Sequence, residues 1–371
     1  MKILVLSSHT PSLFWFRMDM MKDFIDLGYK VVAVGNESKE KWDEKFLKEG
    51  IVYRQVDIER NGTNPVKDLK TLRELKKIIR EELPDKIFAY QAKTVIYGGI
   101  AVKNRKNIEF YPLIAGIGSA FLAKNLKGKI IKKILVAEYK IALRKASAVF
   151  FQNSDDVREF IDNGIIKKKK LIILNGSGVN LEKFTPQKLP SKIAFLCISR
   201  LIRDKGIIEY LEAARIVKAK YNDVRFLLVG PFDSNPSALR EKDLKDYIED
   251  GTIEYFGEQT DVRPYFAQSS VFVLPSYREG TPKTVLEAMA CCKAIITTDA
   301  PGCRETVENE VNGFLVPIKD IKAIVEKMIY FINHSEQIEI MALEGRRLVE
   351  KKFDVKKVNQ TIIQTMRLEK K

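Results

Sequence analysis

The fold is decided by residues 271–299, which read VFVLPSYREGTPKTVLEAMACCKAIITTD. The apolar run VFVL is followed by a loop with Pro and Gly, then by a helical stretch and a second apolar run, AIITTD. This order is the strand–helix–strand unit from which parallel sheets are built. A strand as continuously apolar as VFVL suits a sheet that helices cover on both faces. The segment therefore predicts an α/β fold with a doubly wound sheet.

The same alternation of apolar strands and amphipathic helices extends over the whole chain. In the first half we predict strands at KILVLSS, KVVAVGN, IVYRQVD, KIFAYQA, FYPLIAG, AVFFQN and KLIILNG. In the second half they recur at IAFLCISR, VRFLLVG, IEYFG, VFVLPS, AIITTD and GFLVP. The chain has 371 residues, about twice the usual size of a domain. We therefore predict two Rossmann-like domains that face a cleft, with ligand sites at the carboxyl ends of their strands.

The boundary between the domains lies in NGSGVNLEKFTPQKLPS, which concentrates Gly, Asn, Ser and Pro near residues 177–191. We assign residues 1–180 to an N-terminal domain and residues 190–352 to a C-terminal domain. Residues 353–371 form a terminal helix that can pack back on the N-terminal domain. Its apolar positions have helical spacing: Val358, Ile362, Ile363 and Met366.

The composition excludes several classes of protein. Hydrophobic residues make up 45% and charged residues 30% of the chain, as in ordinary globular proteins. No apolar run reaches the roughly 18 residues that span a bilayer, and the apolar start of the chain is too short for a signal peptide. Histidine occurs only at positions 9 and 334, which excludes a site with three imidazole ligands. The four cysteines lack zinc-ligand spacing, and reduced thiols in the cytoplasm are their simplest account.

The net charge of +15 is concentrated in the first half of the chain. Residues 1–190 hold 36 basic and 22 acidic side chains, a balance of +14, whereas residues 191–371 hold 28 and 27, a balance of +1. An excess of this kind favours a polyanionic neighbour, such as nucleic acid, an anionic membrane or a phosphorylated substrate. A general solubility effect of lysine is the alternative.

The loop and helix that follow VFVL have the composition of a phosphate site. Thr281 suits the N-cap of the helix and Pro282 its first position, after a loop that ends at Gly280. First-turn amides beside a helix dipole can bind a phosphate. These would be the amides of Lys283, Thr284 and Val285.

Two glutamates of this segment are candidate ligands for hydroxyl groups. Glu279 lies on the loop, and Glu287 lies about two turns into the helical segment. Together they could hold two separate hydroxyl groups of a single ligand. Each glutamate could also be merely solvated or help to cap the helix.

Two further loops follow strands of the second half. In FLCISRLIRDKGIIEYLEAA, Arg200 follows a strand and Lys205 precedes a helix, so the two cations can neutralise a diphosphate. In LLVGPFDS a strand runs into Gly230 and Pro231, and IEYFGEQTDV places Phe256 nearby in sequence. Such loops often line the slot for a nucleotide base, although by themselves they are only turns.

These motifs, in this order, resemble glycosyltransferase family 4, the retaining enzymes of the GT-B fold. The resemblance runs from NGSGVNLEKFTP, similar to the inter-domain signature with one inserted residue, to GFLVP. It implies that Glu287 holds the donor ribose, that Glu279 contacts the transferred sugar, and that Arg200 and Lys205 bind the diphosphate. It also implies an acceptor-binding N-terminal domain and a nucleotide-sugar-binding C-terminal domain. We take Glu279, Arg200 and Lys205 as the catalytic candidates.

The N-terminal half departs from many members of the family. SSHTPSLFWFRMDMM replaces the usual glycine-rich loop, and Gln91-Ala92-Lys93-Thr94 stands where a catalytic-loop histidine is expected. In these departures the chain resembles an N-acetylgalactosaminyltransferase-like subgroup that elongates undecaprenyl-diphosphate-linked glycans. The acceptor-side candidates are His9, Ser12, Arg17 and Lys93. His9 could equally be a hydrogen-bonded loop residue.

The resemblance implies a retaining transferase that uses a UDP-sugar and a polyprenyl-diphosphate-linked acceptor, without a covalent enzyme intermediate. Because no Asp-x-Asp motif follows a suitable strand, we expect no metal, and no cofactor is implied. A UDP-sugar 2-epimerase of the same fold is an alternative, opposed by the scarcity of histidine. A nucleic-acid-binding protein is a second alternative, but no helix-turn-helix, RNP-type strand or zinc module supports it.

The excess of basic residues in the first half of the chain suits contact with an anionic membrane in this interpretation. Residues 121–146 predict an amphipathic helix that can lie on an anionic leaflet, or else pack on the core with a solvated lysine face. Its basic positions are Lys124, Lys127, Lys129, Lys132, Lys133, Lys140, Arg144 and Lys145. We therefore expect a cytoplasmic enzyme bound peripherally to the inner face of the cell membrane, with no nucleic-acid partner.

Overall fold

The computed structural model describes residues 1–59, 64–118, 121, 126–233 and 237–370, apart from the side chains of Lys127 and Lys169. The chain divides into two compact units. Unit 1 comprises Met1–Ser177 and Val355–Lys371, and unit 2 comprises Gly178–Asp354. The chain thus passes from unit 1 to unit 2 within the Gly- and Asn-containing segment and returns to unit 1 for its last helix.

Unit 1 contains a seven-stranded parallel sheet in the order β3-β2-β1-β4-β5-β6-β7. Its strands are β1 (Lys2–Leu6), β2 (Lys30–Gly35), β3 (Val52–Gln55), β4 (Lys86–Tyr90), β5 (Glu109–Ile114), β6 (Val149–Phe151) and β7 (Leu171–Ile173). Its helices are α1 (Thr10–Asp26), α2 (Lys39–Leu47), α3 (Pro65–Glu82), α4 (Ala92–Val102), α5 (Leu126–Leu143), α6 (Ser154–Asp162) and α13 (Val355–Thr365). The reversal of strand order at β1 and β4 is the doubly wound topology predicted from the sequence.

Both faces of the unit 1 sheet are buried, because successive residues of a strand point to opposite sides. Leu4 and Leu6 of β1 join the core on one face, and Ile3 and Val5 join the core on the other. The continuous apolar runs of the strands therefore match a sheet covered on both sides.

The terminal helix α13 packs on unit 1. Val358, Ile362 and Met366 are buried in the same core as α1, and the Asn359 Nδ2 atom donates to Asp23 Oδ2 at 2.6 Å. Most of the apolar positions that were chosen from the sequence therefore face the core of this unit, and Ile363 is partly buried against it.

Helix α5 is shorter than the sequence prediction of residues 121–146, because its helical backbone spans Leu126–Leu143. Residues 122–125, with Lys124, lie outside the described residues, as does the side chain of Lys127. Arg144 and Lys145 follow the helix in a turn. The predicted extent of the helix is thus wrong at its C-terminal end.

Unit 2 contains a six-stranded parallel sheet in the order β10-β9-β8-β11-β12-β13. Its strands are β8 (Ala194–Ile198), β9 (Arg225–Val229), β10 (Glu254–Tyr255), β11 (Val271–Leu274), β12 (Ala294–Thr298) and β13 (Gly313–Val316). Its helices are α7 (Ile207–Lys218), α8 (Glu241–Glu249), α9 (Arg263–Ala267), α10 (Lys283–Ala290), α11 (Ile321–Asn333) and α12 (Glu336–Leu348). Since all strands are parallel, the loops after β8, β9, β11 and β12 gather at one edge, called here the carboxyl edge of unit 2.

Candidate functional site

Lys205 and Glu279 form an ion pair at the carboxyl edge of unit 2. Lys205 ends a short 3-10 turn (Arg203–Lys205) before α7, and Glu279 lies on the loop between β11 and α10. Their side chains are only 17% and 13% exposed. The sequence predicted both residues for the site, but not that each partly neutralises the other.

Glycine allows this close packing. Gly206 has a φ of 71°, and a Cβ atom placed on it would lie 2.1 Å from the carbonyl oxygen of Pro275. A larger residue would therefore both strain the backbone and push the start of α7 away from the end of β11. Gly206 thus brings the turn of Lys205 against the strand that precedes Glu279.

Arg200 is held by a different carboxylate. Its Nη1 atom donates to Asp233 Oδ2 at 2.6 Å, and the Asp233 side chain is only 10% exposed. Asp233 lies in the loop after β9, and nothing in its sequence indicated this contact. Arg200 and Lys205, predicted to share a diphosphate, therefore have separate carboxylate partners.

The loop after β9 connects neighbouring strand ends. The Gly230 amide donates to the carbonyl oxygen of Gly257 at 2.8 Å, and the carbonyl oxygen of Pro231 accepts from the Leu201 amide at 2.9 Å. A Cβ atom on Gly230 would lie 1.8 Å from the carbonyl oxygen of Ser199, so glycine is required here. Phe256, the third residue predicted for a base slot, is half-buried, with its ring 4.9 Å from that of Tyr265.

Helix α10 begins one residue later than the sequence predicted. Pro282 has extended angles (φ −71°, ψ 109°) and is the N-cap, so the assignment of Thr281 as N-cap and Pro282 as first helical residue is wrong. Proline fixes only φ, and its ψ here precedes the helix. Gly280 and Thr281 therefore belong to the loop.

The first turn of α10 contains the three amides that were predicted to bind phosphate. The amide of Val285 already donates to the carbonyl oxygen of Pro282 at 3.1 Å. Lys283 and Thr284 are half-buried at the start of the helix. The candidate phosphate site thus has at most two of the three predicted amide donors, because the third is used within the helix.

Glu287 is buried in α10, with 8% of its surface exposed. Burial raises the pKa of its carboxyl group, and Lys283 and Lys183 partly oppose that shift. Among the described residues, no side chain or amide donates a hydrogen bond to this carboxyl group. Its oxygens are not among the fully enclosed unpaired atoms of the described residues, so water can donate to them and a ligand hydroxyl can take the place of that water.

The loop of Glu279 rests on a turn that sequence reasoning missed. The Glu279 amide donates to the carbonyl oxygen of Pro301 at 2.9 Å. Gly302 has a φ of 84°, and a Cβ atom on it would lie 2.3 Å from the carbonyl oxygen of Glu279. The Pro-Gly pair after the strand AIITTD is a turn signal at the carboxyl edge, so the sequence could have indicated it.

Tyr277 ties the same loop to the turn of Lys205. Its amide donates to the carbonyl oxygen of Asp204 at 2.9 Å, and its hydroxyl donates to Glu209 Oε1 at 2.6 Å. Burial and the neighbouring Glu209 raise the pKa of Tyr277, so the phenol remains a donor at neutral pH. This contact orients the loop that carries Glu279.

Unit 1 has a polar network at the carboxyl edge of its own sheet. Gln91 follows β4 with a φ of 74°, an unfavourable conformation for a residue with a Cβ atom. Its Oε1 atom accepts from the hydroxyls of Ser7 and Ser8 at 3.0 and 2.8 Å. The Ser12 hydroxyl lies 2.8 Å from that of Tyr90. The side chain at the position of the expected histidine thus orders the loop between β1 and α1.

The four acceptor-side candidates are not equivalent. Ser12 belongs to this network, and Arg17 is buried against the ring of Tyr90, 5.0 Å from its centroid. His9 is the N-cap of α1, without a side-chain capping bond. Lys93 forms an ion pair with Asp68 at 2.7 Å. The structure therefore brings Ser12 and Arg17 together around Tyr90 and places Lys93 with another partner.

Within the described part of the chain, no group of three or more His, Cys, Asp or Glu side chains is arranged to hold a metal ion. In the same residues, no helix is long and apolar enough to cross a membrane. The metal requirement and the place of the protein in the cell remain predictions.

Two family models match the chain, one in each unit. Residues 2–153 match the model described as Glycosyl transferase 4-like, and residues 192–334 match Glycosyl transferases group 1. A Campylobacter jejuni N,N'-diacetylbacillosaminyl-diphospho-undecaprenol alpha-1,3-N-acetylgalactosaminyltransferase is 30% identical over 342 residues, which is 88% of each chain.

Two further proteins show the same likeness at lower identity. The Escherichia coli UDP-Gal:alpha-D-GlcNAc-diphosphoundecaprenol alpha-1,3-galactosyltransferase is 25% identical over 311 residues, covering 79% of this chain and 77% of its own. The crystal structure of Anabaena Alr3699/HepE in complex with UDP and glucose superimposes with a TM-score of 0.79 at 18% identity, covering 99% of both chains.

Proposed function

Because the chain belongs to glycosyltransferase family 4, we propose that it is a retaining enzyme that transfers a sugar from a UDP-sugar to a polyprenyl-diphosphate-linked saccharide. The family membership and the GT-B type of its two Rossmann-like units confirm the resemblance noted in the sequence. Membership also favours the transferase over the UDP-sugar 2-epimerase. The donor and acceptor classes are those that the relatives' names state.

The observation that carries the proposal is the pairing of Lys205 with Glu279 on the segment that also holds buried Glu287. An ammonium group released from its carboxylate can bind a donor phosphate, and the carboxylate can then accept from a sugar hydroxyl. Glu287, which has no donor among the described residues, accepts from a ribose hydroxyl. The segment of Glu279 and Glu287, together with the adjacent turn of Lys205, thus supplies groups for the nucleotide, the diphosphate and the sugar.

The proposed chemistry uses these groups to stabilise the leaving UDP. Lys205 and Arg200 oppose the negative charge that develops on the diphosphate as the bond to the sugar breaks, and preorganised charges of this kind give large rate effects. The acceptor hydroxyl attacks the anomeric carbon on the face from which UDP departs. No residue of the chain acts as nucleophile in this scheme.

We place the acceptor on unit 1, where the network of Ser7, Ser12, Tyr90 and Gln91 forms an ordered polar surface at the carboxyl edge. Neutral hydroxyl and amide groups suit the recognition of a saccharide, because each can donate or accept a hydrogen bond. His9 precedes α1 at this edge.

Helix α5 supplies the proposed contact with an anionic membrane. Ile130, Ile134 and Ile141 are 55%, 54% and 47% exposed, and their spacing places them on one side of the helix. The basic side chains beside them are exposed: Lys129, Lys133 and Lys140. Lys132 does not belong to this surface, because its Nζ atom pairs with Glu159 at 2.5 Å. An apolar strip flanked by lysines is typical of helices that lie at the inner face of a cell membrane.

The direct test of the proposed function is UDP release over a panel of UDP-sugars, with and without a polyprenyl-diphosphate saccharide. We expect one UDP-sugar to give release that depends on the acceptor. Acceptor-independent conversion of a UDP-sugar into its 2-epimer would instead support the epimerase. Binding of a labelled oligonucleotide at moderate salt, without binding of UDP, would support the nucleic-acid alternative.

The membrane contact is tested by replacing three lysines of α5 with glutamate, as K129E/K133E/K140E. Binding to vesicles that contain anionic lipid should fall, and so should turnover of a long-chain acceptor, because like charges then face the leaflet. Wild-type binding should also weaken with salt, since the reach of exposed charges shrinks from about 10 Å at 0.1 M to about 3 Å at 1 M.

The matched control changes the net charge by the same amount at three exposed lysines of unit 2, as K220E/K242E/K322E. The control should retain vesicle binding. Turnover of a water-soluble, short-chain acceptor should be nearly unchanged in both variants. An equal loss on both acceptors in the α5 variant would show that these lysines support the fold or the site instead.

A further inference from the structure

Arg17 is a buried cation that has no carboxylate partner in the described part of the chain. It is 2% exposed on α1, and its guanidinium carbon lies 5.6 Å from the ring centroid of Phe88 and 5.0 Å from that of Tyr90. Its Nε atom is enclosed and has no hydrogen-bond partner among the described residues. Surface arginines of the same unit are treated differently: Arg54, for example, pairs with both Glu81 and Glu82.

Burial without compensation is costly for an arginine. Desolvation lowers the pKa of Arg17 to about 10, and only Tyr90 acts in the opposite direction, so the side chain still carries its charge at neutral pH. The aromatic rings return part of the lost hydration through cation–π contacts. A buried charge that lacks an ionic partner nevertheless destabilises the fold, and such a group is a candidate for ligand binding.

The surrounding network offers Arg17 no negative charge, but it does define a site. Ser12 links Tyr90 to Ser7 through hydroxyl contacts of 2.8 and 3.0 Å. Only the Nε atom of Arg17 is among the enclosed unpaired atoms of the described residues, and the side chain as a whole is 2% exposed, so a ligand can approach it only at its terminal nitrogens. These nitrogens are the planar, paired donors that suit a phosphate oxygen pair.

The N-terminus of α1 does not supply an alternative anion site. The Thr10 amide donates to Asn36 Oδ1 at 2.9 Å, and the Ser12 amide donates to the carbonyl oxygen of His9 at 3.0 Å. Pro11 has no amide hydrogen. The backbone donors that could bind a phosphate at this loop are therefore used within the protein, and Arg17 is the group that remains.

We propose that Arg17, held against the ring of Tyr90, binds a phosphate group of a diphosphate ligand at the carboxyl edge of unit 1. The identification of this ligand as the diphosphate of the lipid-linked acceptor rests on the proposed function. The charge of the ligand then replaces the carboxylate that Arg17 lacks in the folded chain. Arg17 belongs to unit 1, whereas Arg200 and Lys205 belong to unit 2.

The test measures thermal stability and binding with the donor site saturated by UDP, so that a second diphosphate reports on another site. The probes are inorganic phosphate, inorganic pyrophosphate and geranyl diphosphate. We expect pyrophosphate and geranyl diphosphate to raise the melting temperature of the wild-type protein, and phosphate to do so less. No binding of either diphosphate to the wild-type protein would overturn the proposal.

The variant Arg17→Met separates a binding role from a structural one. It should keep or increase the melting temperature, because an apolar side chain of similar length replaces an uncompensated buried charge. It should lose about 10- to 100-fold in affinity for pyrophosphate, as expected for the loss of charge-assisted hydrogen bonds. A strong loss of stability with unchanged pyrophosphate affinity would show that Arg17 serves the fold alone.

Lys22→Met is the matched control, because it removes one positive charge from the same helix at a surface ion pair with Glu49. It should leave pyrophosphate binding unchanged, and an equal loss in this control would overturn the assignment to Arg17. If Arg17→Met fails to fold, Arg17→Lys keeps the charge but loses the planar pair of donors. That variant should still bind pyrophosphate more weakly than the wild-type protein, and unchanged binding would overturn the proposal.

These binding measurements do not depend on sugar transfer. If no UDP-sugar supports transfer but Arg17→Met still has a lower affinity for pyrophosphate than the wild-type protein, the proposed function is wrong. The proposed anion site is then still supported. If transfer is observed and Arg17→Met leaves the KM for the lipid acceptor unchanged, Arg17 has no acceptor role. The expected result is a raised KM for the acceptor with unchanged UDP affinity.

Discussion

The carboxyl edges of the two sheets hold their charged groups in opposite ways. In unit 2, Lys205 pairs with Glu279 and Arg200 pairs with Asp233, so each cation has its own carboxylate. In unit 1, buried Arg17 lies against the rings of Phe88 and Tyr90, beside a network of hydroxyl and amide groups, and has no carboxylate partner among the described residues. Both edges are proposed to bind anions, but the positive charge is paired with carboxylates in unit 2 and not in the described part of unit 1 around Arg17.

This difference predicts different responses to substitution. In unit 2, a bound diphosphate would replace the carboxylate partner of each cation. Removing one member of such a pair takes away the opposite charge that compensates the other member. Where a cation is unpaired, its removal costs binding but not stability. We therefore expect truncations in unit 2 to affect affinity and turnover through the partner that remains.

The largest effect is expected for Lys205→Ala. This change removes the ammonium group that is proposed to face the diphosphate, while the Glu279 carboxylate stays beside it. The affinity for UDP should therefore fall, and turnover should drop about 100- to 1000-fold. Binding of uridine, which has no phosphate, should be nearly unchanged in calorimetry. Equal losses for UDP and uridine would show that Lys205 supports the fold of the loop.

Glu279→Ala sharpens the same comparison, because it leaves Lys205 without its carboxylate. We expect UDP binding to be retained or strengthened while transfer falls, since the proposed partner of Glu279 is the transferred sugar. The double variant K205A/E279A should bind UDP better than Lys205→Ala alone, because the negative charge of Glu279 is then also removed from beside the diphosphate. Additive effects in this double-mutant cycle would contradict coupling of the pair.

Arg200→Ala tests the second pair. Its loss removes a positive charge beside Asp233 that is proposed to face the diphosphate, so the affinity for UDP should fall far more than the affinity for uridine. Because the Arg200 side chain is 35% exposed, whereas that of Lys205 is 17% exposed, solvent screens the Arg200 pair more and the loss should be smaller than for Lys205→Ala. A larger loss for Arg200→Ala would reverse this ranking.

The next effect concerns Glu287. Glu287→Ala should weaken the binding of UDP by roughly 1.5–3 kcal/mol, the usual contribution of a hydrogen bond to a charged group. The binding of uridine should be weakened by the same amount, because the proposed ribose contact does not depend on the phosphates. Unchanged affinity for both ligands in calorimetry would remove Glu287 from the ribose.

The raised pKa of Glu287 gives the same residue a pH signature. Burial favours the protonated carboxyl group, so the contribution of Glu287 to folding stability rises as the pH falls through its folded-state pKa. A ribose hydroxyl donates best to the ionised carboxylate, so the affinity for UDP should fall as the pH is lowered through the folded-state pKa of Glu287. That pKa lies above the ordinary glutamate value of 4.5. Glu287→Gln should lose this part of the pH dependence, and an unchanged profile would contradict the assignment.

A smaller effect is expected for Gly302→Ala, which tests the turn beneath Glu279. The added Cβ atom would lie 2.3 Å from the carbonyl oxygen of Glu279, and the strained φ adds to this clash, for a stability loss of roughly 1–3 kcal/mol. Turnover should fall with it. Gly251→Ala is the control, because Gly251 has a φ of 72° but no atom within 4 Å of the added Cβ. Equal effects of the two changes would mean that the clash is unimportant.

The smallest effect is expected from metal removal. Because carboxylate-held cations of the chain are proposed to oppose the diphosphate charge, activity should survive EDTA. Full inhibition by EDTA that magnesium reverses would show that the ion pairs of unit 2 are insufficient without a metal.

The sequence was sufficient for the fold because each strand is a contiguous apolar run. All strands predicted in both halves are present, and the topology follows from parallel strands joined by helices. The segment 271–299 likewise placed Glu279 on a loop and Glu287 on a helix, as observed. These features depend on residues that are close together in the chain.

The contacts within the site could not be predicted in the same way, because they join residues that are far apart in sequence. The Lys205–Glu279 and Arg200–Asp233 pairs depend on which strands become neighbours and on how their loops turn. The burial of Arg17 could not be seen from the sequence either, since α1 has large apolar residues on every side, and Trp15 and Phe16 are exposed whereas Arg17 is not. The cap of α10 depended on a single ψ angle at Pro282.

The most direct test of the central claim is the mass of a soluble, short-chain polyprenyl-diphosphate saccharide after incubation with the protein and a UDP-sugar. We expect the acceptor to gain the mass of one sugar, with the anomeric configuration of the donor retained, and Glu279→Ala to suppress this product while UDP binding persists. An acceptor of unchanged mass with every UDP-sugar of the panel, despite tight binding of UDP, would contradict the account.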